Sequence, residues 1–152
     1  FLFSDADSQI VMPTVREDLE FSLRGRGLAA ADVTSRVDRA LSEFGLADHE
    51  DHPCYLLSGG QKQQLALAAV LLLDPQIIVA DEPTTLLDLR NQRRFAQLLA
   101  ELSQQVLMVS HHFELLTGFD RVLVIDEGRV VADDTPQVAV AAYRRLMGEV
   151  VR

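Results

Sequence analysis

The stretch LSGGQKQ, Leu57–Gln63, followed one helix later by IIVADEP, Ile77–Pro83, decides how this chain folds. In the first, a serine precedes two glycines at the mouth of an apolar run, QKQQLALAAVLLL, that ends before Asp74-Pro75. Ser58 is a natural helix N-cap there, and proline stops the helix at its far end. Glycines at such a helix start leave backbone N–H groups open where the helix dipole favours an anion. The Ser58 hydroxyl and the Gln61 amide add polar reach to Gly59 and Gly60. In the second stretch, the continuous apolar run IIVA reads as a strand buried on both faces. It ends in Asp81 and Glu82, the place where open α/β sheets put their ligands. A carboxylate at a strand end suits Mg²⁺, a hard cation that takes oxygen ligands. The adjacent Glu82 points elsewhere and can polarise an attacking water. The loop that cradles phosphates, GxxxxGK[ST], is not in the sequence: Lys62 is its only lysine, and Gln61 precedes it.

Outward from these stretches the pattern alternates. Thr14 and Glu17 form a capping box that opens a short helix reaching about Leu23, and GRG (Gly25–Gly27) breaks it. Val33, Val37, Ala40, Leu41 and Phe44 share one face of a second helix that Gly45 stops. Beyond IIVA come a helix over about Leu89–Leu102, a strand VLMVS, a short helix after His112, and a strand RVLVI. The turn Asp126–Arg129 then leads into an edge hairpin, VVADD, and a last helix spans about Pro136–Met147. This order is α/β, with helices flanking a mainly parallel sheet. The opening FLF reads as the end of a strand, so the chain is expected to start inside a domain. One partial domain over 1–152 is expected, with a helical subdomain over about 10–60 and a core portion over about 61–152.

Composition narrows the classes. With 48% hydrophobic residues in 152, the chain can build one ordinary core. Its 23 acidic and 14 basic residues give a net charge of −9, poor footing for a nucleic acid, whose binding runs on neutralised phosphates; no nucleic-acid partner is expected. A single cysteine, Cys54, allows no internal disulfide. The apolar run Leu65–Leu73 is shorter than the ~20 residues a membrane helix requires. DHEDHPC brings His49, His52 and Cys54 close in sequence without regular metal-ligand spacing, and reads as a solvated loop.

The order of motifs resembles the ATP-binding subunits of ABC transporters. LSGGQ is similar to that family's signature, IIVADEP to its Walker B strand, TTLLD to its D-loop and SHH to its switch region, while the Gln9 of DADSQIVMPTV falls where its Q-loop glutamine stands. The resemblance implies a P-loop ATPase domain of which this chain carries the helical signature subdomain and the C-terminal half of the sheet. It implies Glu82 and His111 as catalytic residues. Ser58, Gly59, Gly60, Gln61 and Asp88 would bind nucleotide, and Asp81 and Gln9 would hold Mg²⁺. His111 is preferred over His112 because it directly follows Ser110. ATP and Mg²⁺ are the implied cofactors, and the phosphate loop is expected upstream of Phe1.

Forty-eight positions separate Gln9 from Leu57, which suits a transporter's compact helical subdomain; the DNA-acting relatives with this signature insert a long coiled coil there. FSDADSQIVMPTVREDLEF, LSGGQKQ and ADEPTTLLDLRN resemble the energy-coupling-factor importers, with biotin ATPases nearest and cobalt or nickel ATPases next. The expected partners are a second ATPase subunit (itself or a paralogue), a transmembrane coupling subunit and a membrane substrate-binding subunit, at the cytoplasmic face of the membrane. A non-transport ABC ATPase acting on DNA or ribosomes is the alternative. The sequence departs from the pattern at Gln64, where arginine is common, at Leu86 in the D-loop, and at Asp134 after the hairpin.

Overall fold

The computed structural model describes residues 1–148; the last four positions of the expected domain lie outside the described residues. The chain divides into two compact units, Phe1–Val109 and the segment from Ser110 onward, taken here one at a time.

The first unit is organised by helices that the sequence starts and stops locally. Thr14 caps α1 (Val15–Ser22) through the expected box with Glu17, and Gly25 and Gly27 both adopt left-handed backbone after it. α2 (Ala30–Glu43) buries Val37, Ala40 and Leu41 and ends at a left-handed Gly45. Ser58 caps α3 (Gly59–Leu71). This helix is the centre of the unit: every residue from Gln63 to Val70 is buried. Leu65 and Leu67 are fully buried, each worth about 1.5–3 kcal/mol of transfer free energy. At its C-terminus Asp74 takes the left-handed turn that glycine usually supplies.

β1 (Ile77–Asp81) and β2 (Gln105–Val109) pair in parallel, in register from Ile77↔Gln105 to Asp81↔Val109, with the crossover helix α4 (Leu89–Ala100) between them. The opening strand end is present too. Leu2 bridges Ala80 in parallel, with Leu2 N–H donating to Val79 O (2.8 Å) and Asp81 N–H to Leu2 O (2.9 Å). Within these residues the burial of β1 alternates. Ile78 and Ala80 join the core with α1–α3, while Ile77 is 55% exposed. Within the unit, helices cover one face of the β1–β2 pair, and period-2 geometry sends the other residues away from it.

The second unit holds α5 (Phe113–Leu116), β3 (Val122–Asp126), β4 (Arg129–Asp134) and α6 (Pro136–Leu146). Among the described residues β3 pairs with β4 alone, antiparallel. Glu127 and Gly128 both have positive φ, as a two-residue hairpin turn of matching twist requires. Pro136 occupies the first turn of α6, where its missing N–H costs nothing. The parallel crossover that defines an α/β fold is therefore carried by β1–α4–β2.

Candidate functional site

The N-terminus of α3 is tied on three sides. Ser58 and Gln61 form a reciprocal box. Gln61 N–H donates to Ser58 Oγ (3.4 Å), while the Gln61 side-chain carbonyl accepts from Ser58 N–H (2.9 Å) and from the Ser58 hydroxyl (3.0 Å). The first helical bond runs from Lys62 N–H to Ser58 O, so helix geometry leaves the Gly59 and Gly60 N–H groups without intrahelical acceptors. Lys62 Nζ grips both oxygens of Asp7 at 2.6 and 2.8 Å, and the buried Gln63 donates to Phe3 O at 3.0 Å. Those bonds fasten α3 to the segment that carries Gln9.

Gly60 explains why the second glycine is a glycine. A Cβ there would lie 2.5 Å from Asn91 Oδ1 and 2.6 Å from Asn91 Cγ. Asn91 is fixed in turn by Asp88, the N-cap of α4, whose two carboxylate oxygens accept from Asn91 N–H and Asn91 Nδ2 at 2.9 Å each. Gly59 is looser, its nearest neighbour being Leu86 O at 3.8 Å. Gly60, Asn91 and Asp88 thus form one packed cluster. Gln92 secures the loop by donating to Thr84 O and Leu87 O.

At the carboxyl end of the parallel pair the chain bends sharply. Asp81 is exposed as the last residue of β1. Glu82 follows with φ 48°, a left-handed conformation that costs a side-chain-bearing residue about 1–2 kcal/mol and recurs at functional sites. Its N–H donates to Val109 O at 2.9 Å, and its carboxylate accepts from Thr85 Oγ1 at 3.0 Å. Gln9 lies along the edge of the opening strand that faces away from β1, because its amide accepts from Phe3 N–H (3.2 Å) and donates to Phe1 O (3.3 Å), the residues flanking the bridged Leu2. The donor set that Asp81 and Gln9 offer is oxygen only, the chemistry Mg²⁺ accepts, and that ion takes its remaining ligands from water and phosphate. Among the described residues no group of three or more His, Cys, Asp or Glu gathers as a metal cage, and DHEDHPC is no exception.

His111 lies in the second unit, two residues beyond the end of β2. Its ring packs edge-on against His112, with centroids 4.2 Å apart, and His112 N–H donates to Ser110 Oγ. The expected residues therefore fall into four groups: Ser58, Gly59, Gly60, Gln61 and Asp88 together; Asp81 and Glu82 at the sheet end; Gln9 on the edge of the opening strand; and His111, which belongs to the second unit. Cys54 plays no part in them: burial, reinforced by the charge of Asp18, pushes its thiol up to about 11.

Sequence reasoning passed over several supporting residues. Asn91 had a signal, three positions after a capping aspartate. Asp7, Gln63 and Gln92 had none, since each acts through a contact that only folding creates, whereas Thr85 stands three positions after Glu82. His49 was considered for a metal, whereas its Nε2 meets Gln61 Nε2 at 2.9 Å.

With this geometry in hand, likeness to known proteins identifies the class. The ABC transporter family profile matches residues 2–85, more than half of the chain. The chain belongs to the ABC transporter family, and its fold is that of an ABC ATPase domain. It is 40% identical over 146 residues to the biotin transport ATP-binding protein BioM of Rhizobium etli, covering 96% of this chain and 65% of that protein. Against the energy-coupling factor transporter ATP-binding protein EcfA1 of Caldanaerobacter subterraneus it is 36% identical over 140 residues, 90% of this chain and 50% of the relative. The solved structure of cbiO1 from Clostridium perfringens, part of the ABC transporter complex cbiONQ, superposes with a TM-score of 0.84 at 30% identity. That match covers 97% of this chain and 61% of cbiO1. The chain spans 65% of the length of the first curated relatives it matches.

Proposed function

We propose that the protein is an ATP-hydrolysing subunit of an energy-coupling-factor importer, and that residues 1–152 are one part of its ATPase domain. The observation that carries this reading is the fused cluster of Ser58, Gly59, Gly60 and the Asp88 cap, an anion-ready helix start packed against an acidic loop. In the proposed mechanism, Ser58 and the N–H groups of Gly59 and Gly60 bind the γ-phosphate of an ATP held by a second ATPase subunit, and Gln61 steadies Ser58. Asp81 and Gln9 hold Mg²⁺ through oxygen, and that ion, when bound, neutralises phosphate charge. Glu82 orients and deprotonates the attacking water. His111 donates a hydrogen bond to the terminal phosphate. Positioning and charge stabilisation are what phosphoryl transfer needs from a protein.

Uptake of a vitamin, biotin first, is proposed from the name of BioM together with the wording around Gln9, and uptake of cobalt or nickel from that wording alone. A transmembrane coupling subunit and a membrane substrate-binding subunit complete the assembly, which places the ATPase at the cytoplasmic face of the membrane. The deciding experiment measures ATP turnover by the complete protein with its membrane partners. Glu82→Gln is expected to lower kcat by about 10²–10⁴, the range general bases supply. Turnover equal to the parent's would refute the assignment. Uptake of labelled biotin and Co²⁺ by cells expressing the assembly separates the two cargo classes.

A further inference from the structure

A histidine outside every motif meets the glutamine that caps Ser58. Gln61 is the pivot. Ser58 N–H can only donate, so the Gln61 oxygen that accepts it at 2.9 Å is fixed as the carbonyl, and the amide nitrogen is thereby aimed at His49 Nε2, 2.9 Å away. That nitrogen carries two hydrogens and accepts nothing. His49 Nε2 must therefore be the acceptor, which makes the ring neutral with its proton on Nδ1. Nδ1 is buried and meets no hydrogen-bond partner among the described residues, so nothing on that side sets the tautomer; the Gln61 contact alone does. The opposite tautomer would press an N–H against the amide N–H. It would force Gln61 to flip and withdraw the acceptor of Ser58 N–H.

We infer that His49 is a positioning residue for the nucleotide site: by accepting from Gln61 it fixes the amide orientation that holds Ser58 at the N-cap of α3. This rests on the reading of Ser58 as a phosphate ligand. His49 itself comes from a 3₁₀ turn (Ala47–His49) ahead of the signature and stacks against His52 with centroids 4.9 Å apart. The loop that leads into LSGGQ is thereby joined to the residue that shapes it. Ser58 engages an ATP held by the other subunit, so loss of this support slows the closed, hydrolysing state and leaves the binding of ATP to each subunit's own phosphate loop unchanged.

Two measurements test it. In the parent protein, the ¹⁵N shifts of the His49 ring report its tautomer; the Nδ1–H form is expected, and an Nε2–H form overturns the inference. In ATP turnover by the complete protein with its membrane partners, His49→Leu is expected to lower kcat three- to tenfold with KM for ATP within twofold of the parent. His49→Gln, which can place a carbonyl oxygen near the site of Nε2, is expected to recover most of that loss. Parental kcat in His49→Leu, or an equal fall in His49→Gln, overturns it. Glu82→Gln runs alongside: if that variant is dead while His49→Leu is unaffected, the positioning role fails alone and the ATPase reading stands. A Glu82→Gln protein as active as the parent removes the ATPase reading, and the positioning role falls with it.

Discussion

Replacing Gly60 by alanine sets two effects of known size against each other. Alanine is the better helix former by about 0.8–1.0 kcal/mol, and Gly60 lies in the first turn of α3, so on propensity alone the change stabilises. The new methyl, however, would sit 2.5 Å from Asn91 Oδ1 and 3.1 Å from Asn91 Nδ2, well inside contact. Asn91 can give way only by releasing Asp88 Oδ2, which its Nδ2 now holds at 2.9 Å. A hydrogen bond to a charged group is worth about 1.5–3 kcal/mol. The loss therefore exceeds the helix gain, and Gly60→Ala is expected to destabilise by about 1 kcal/mol, read from the urea midpoint of the complete protein. The double variant Gly60→Ala with Asn91→Ala separates the causes. With the obstructing side chain gone, alanine at position 60 shows only its helix propensity, so adding it to the Asn91→Ala background should stabilise by up to about 1 kcal/mol. The coupling between the two sites is then about 2 kcal/mol, large for residues that meet at one contact. Gly59→Ala is the control, since its nearest neighbour is at 3.8 Å; it should leave the midpoint unchanged or raised, whatever it does to ATP. If Gly60→Ala stabilises by itself, or if the two changes simply add, the packing of the signature on the D-loop does not constrain Gly60, and the argument fails.

Two further outcomes follow from other parts of the structure. At Glu82, with φ 48°, glycine and alanine both remove the side chain and differ in backbone freedom. Glu82→Gly should exceed Glu82→Ala in stability by about 1 kcal/mol, and equal urea midpoints would show that no strain is stored there. Cys54 is held protonated by burial, its thiol pushed from 9.0 to about 11. Between those pH values the folded chain keeps a proton that the unfolded chain has lost. The contribution is full below pH 9 and disappears as pH rises through 11. Parent stability should fall over that window more steeply than that of Cys54→Ala, and parallel slopes would contradict the burial effect.

Local chemistry made much of this fold legible. Thr14 with Glu17, Ser58 ahead of two glycines, Gly45, and Pro136 each act within one helical turn, so the residues that cause the structure are adjacent in the sequence. The hairpin at Glu127-Gly128 is of the same kind. In β1, a run such as IIVA records that the residues are apolar and does not record which neighbours cover each face. Ile77 is exposed and Ile78 is not, a difference made by α1–α3 packing on one side. The left-handed backbone of Glu82 left no mark either, since glutamate has no preference for it. The His49–Gln61 contact joins a 3₁₀ turn to a helix start across 12 positions, and no local pattern encodes it.

These partners have a common property that bears on how the site would work. Four of the polar groups proposed to touch ATP or its metal are held by neighbours close in sequence: Ser58 by Gln61, Asp88 by Asn91, Gln9 by the backbone of Phe1 and Phe3, and Glu82 by Thr85. Short loops close at little entropic cost, so the groups are ordered before any ligand arrives, and binding spares the immobilisation of free side chains. Ligation then becomes an exchange. The Ser58 hydroxyl turns from the Gln61 carbonyl to a phosphate oxygen, trading a neutral acceptor for a charged one, and charge-assisted bonds are roughly twice as strong. The carbonyl it leaves still accepts Ser58 N–H at 2.9 Å, so no buried acceptor is stranded by the switch. That retained bond depends on the amide facing Ser58 with its oxygen, the orientation His49 enforces. A signature serine can thus be both firmly capped and free to engage phosphate, provided the amide behind it cannot flip.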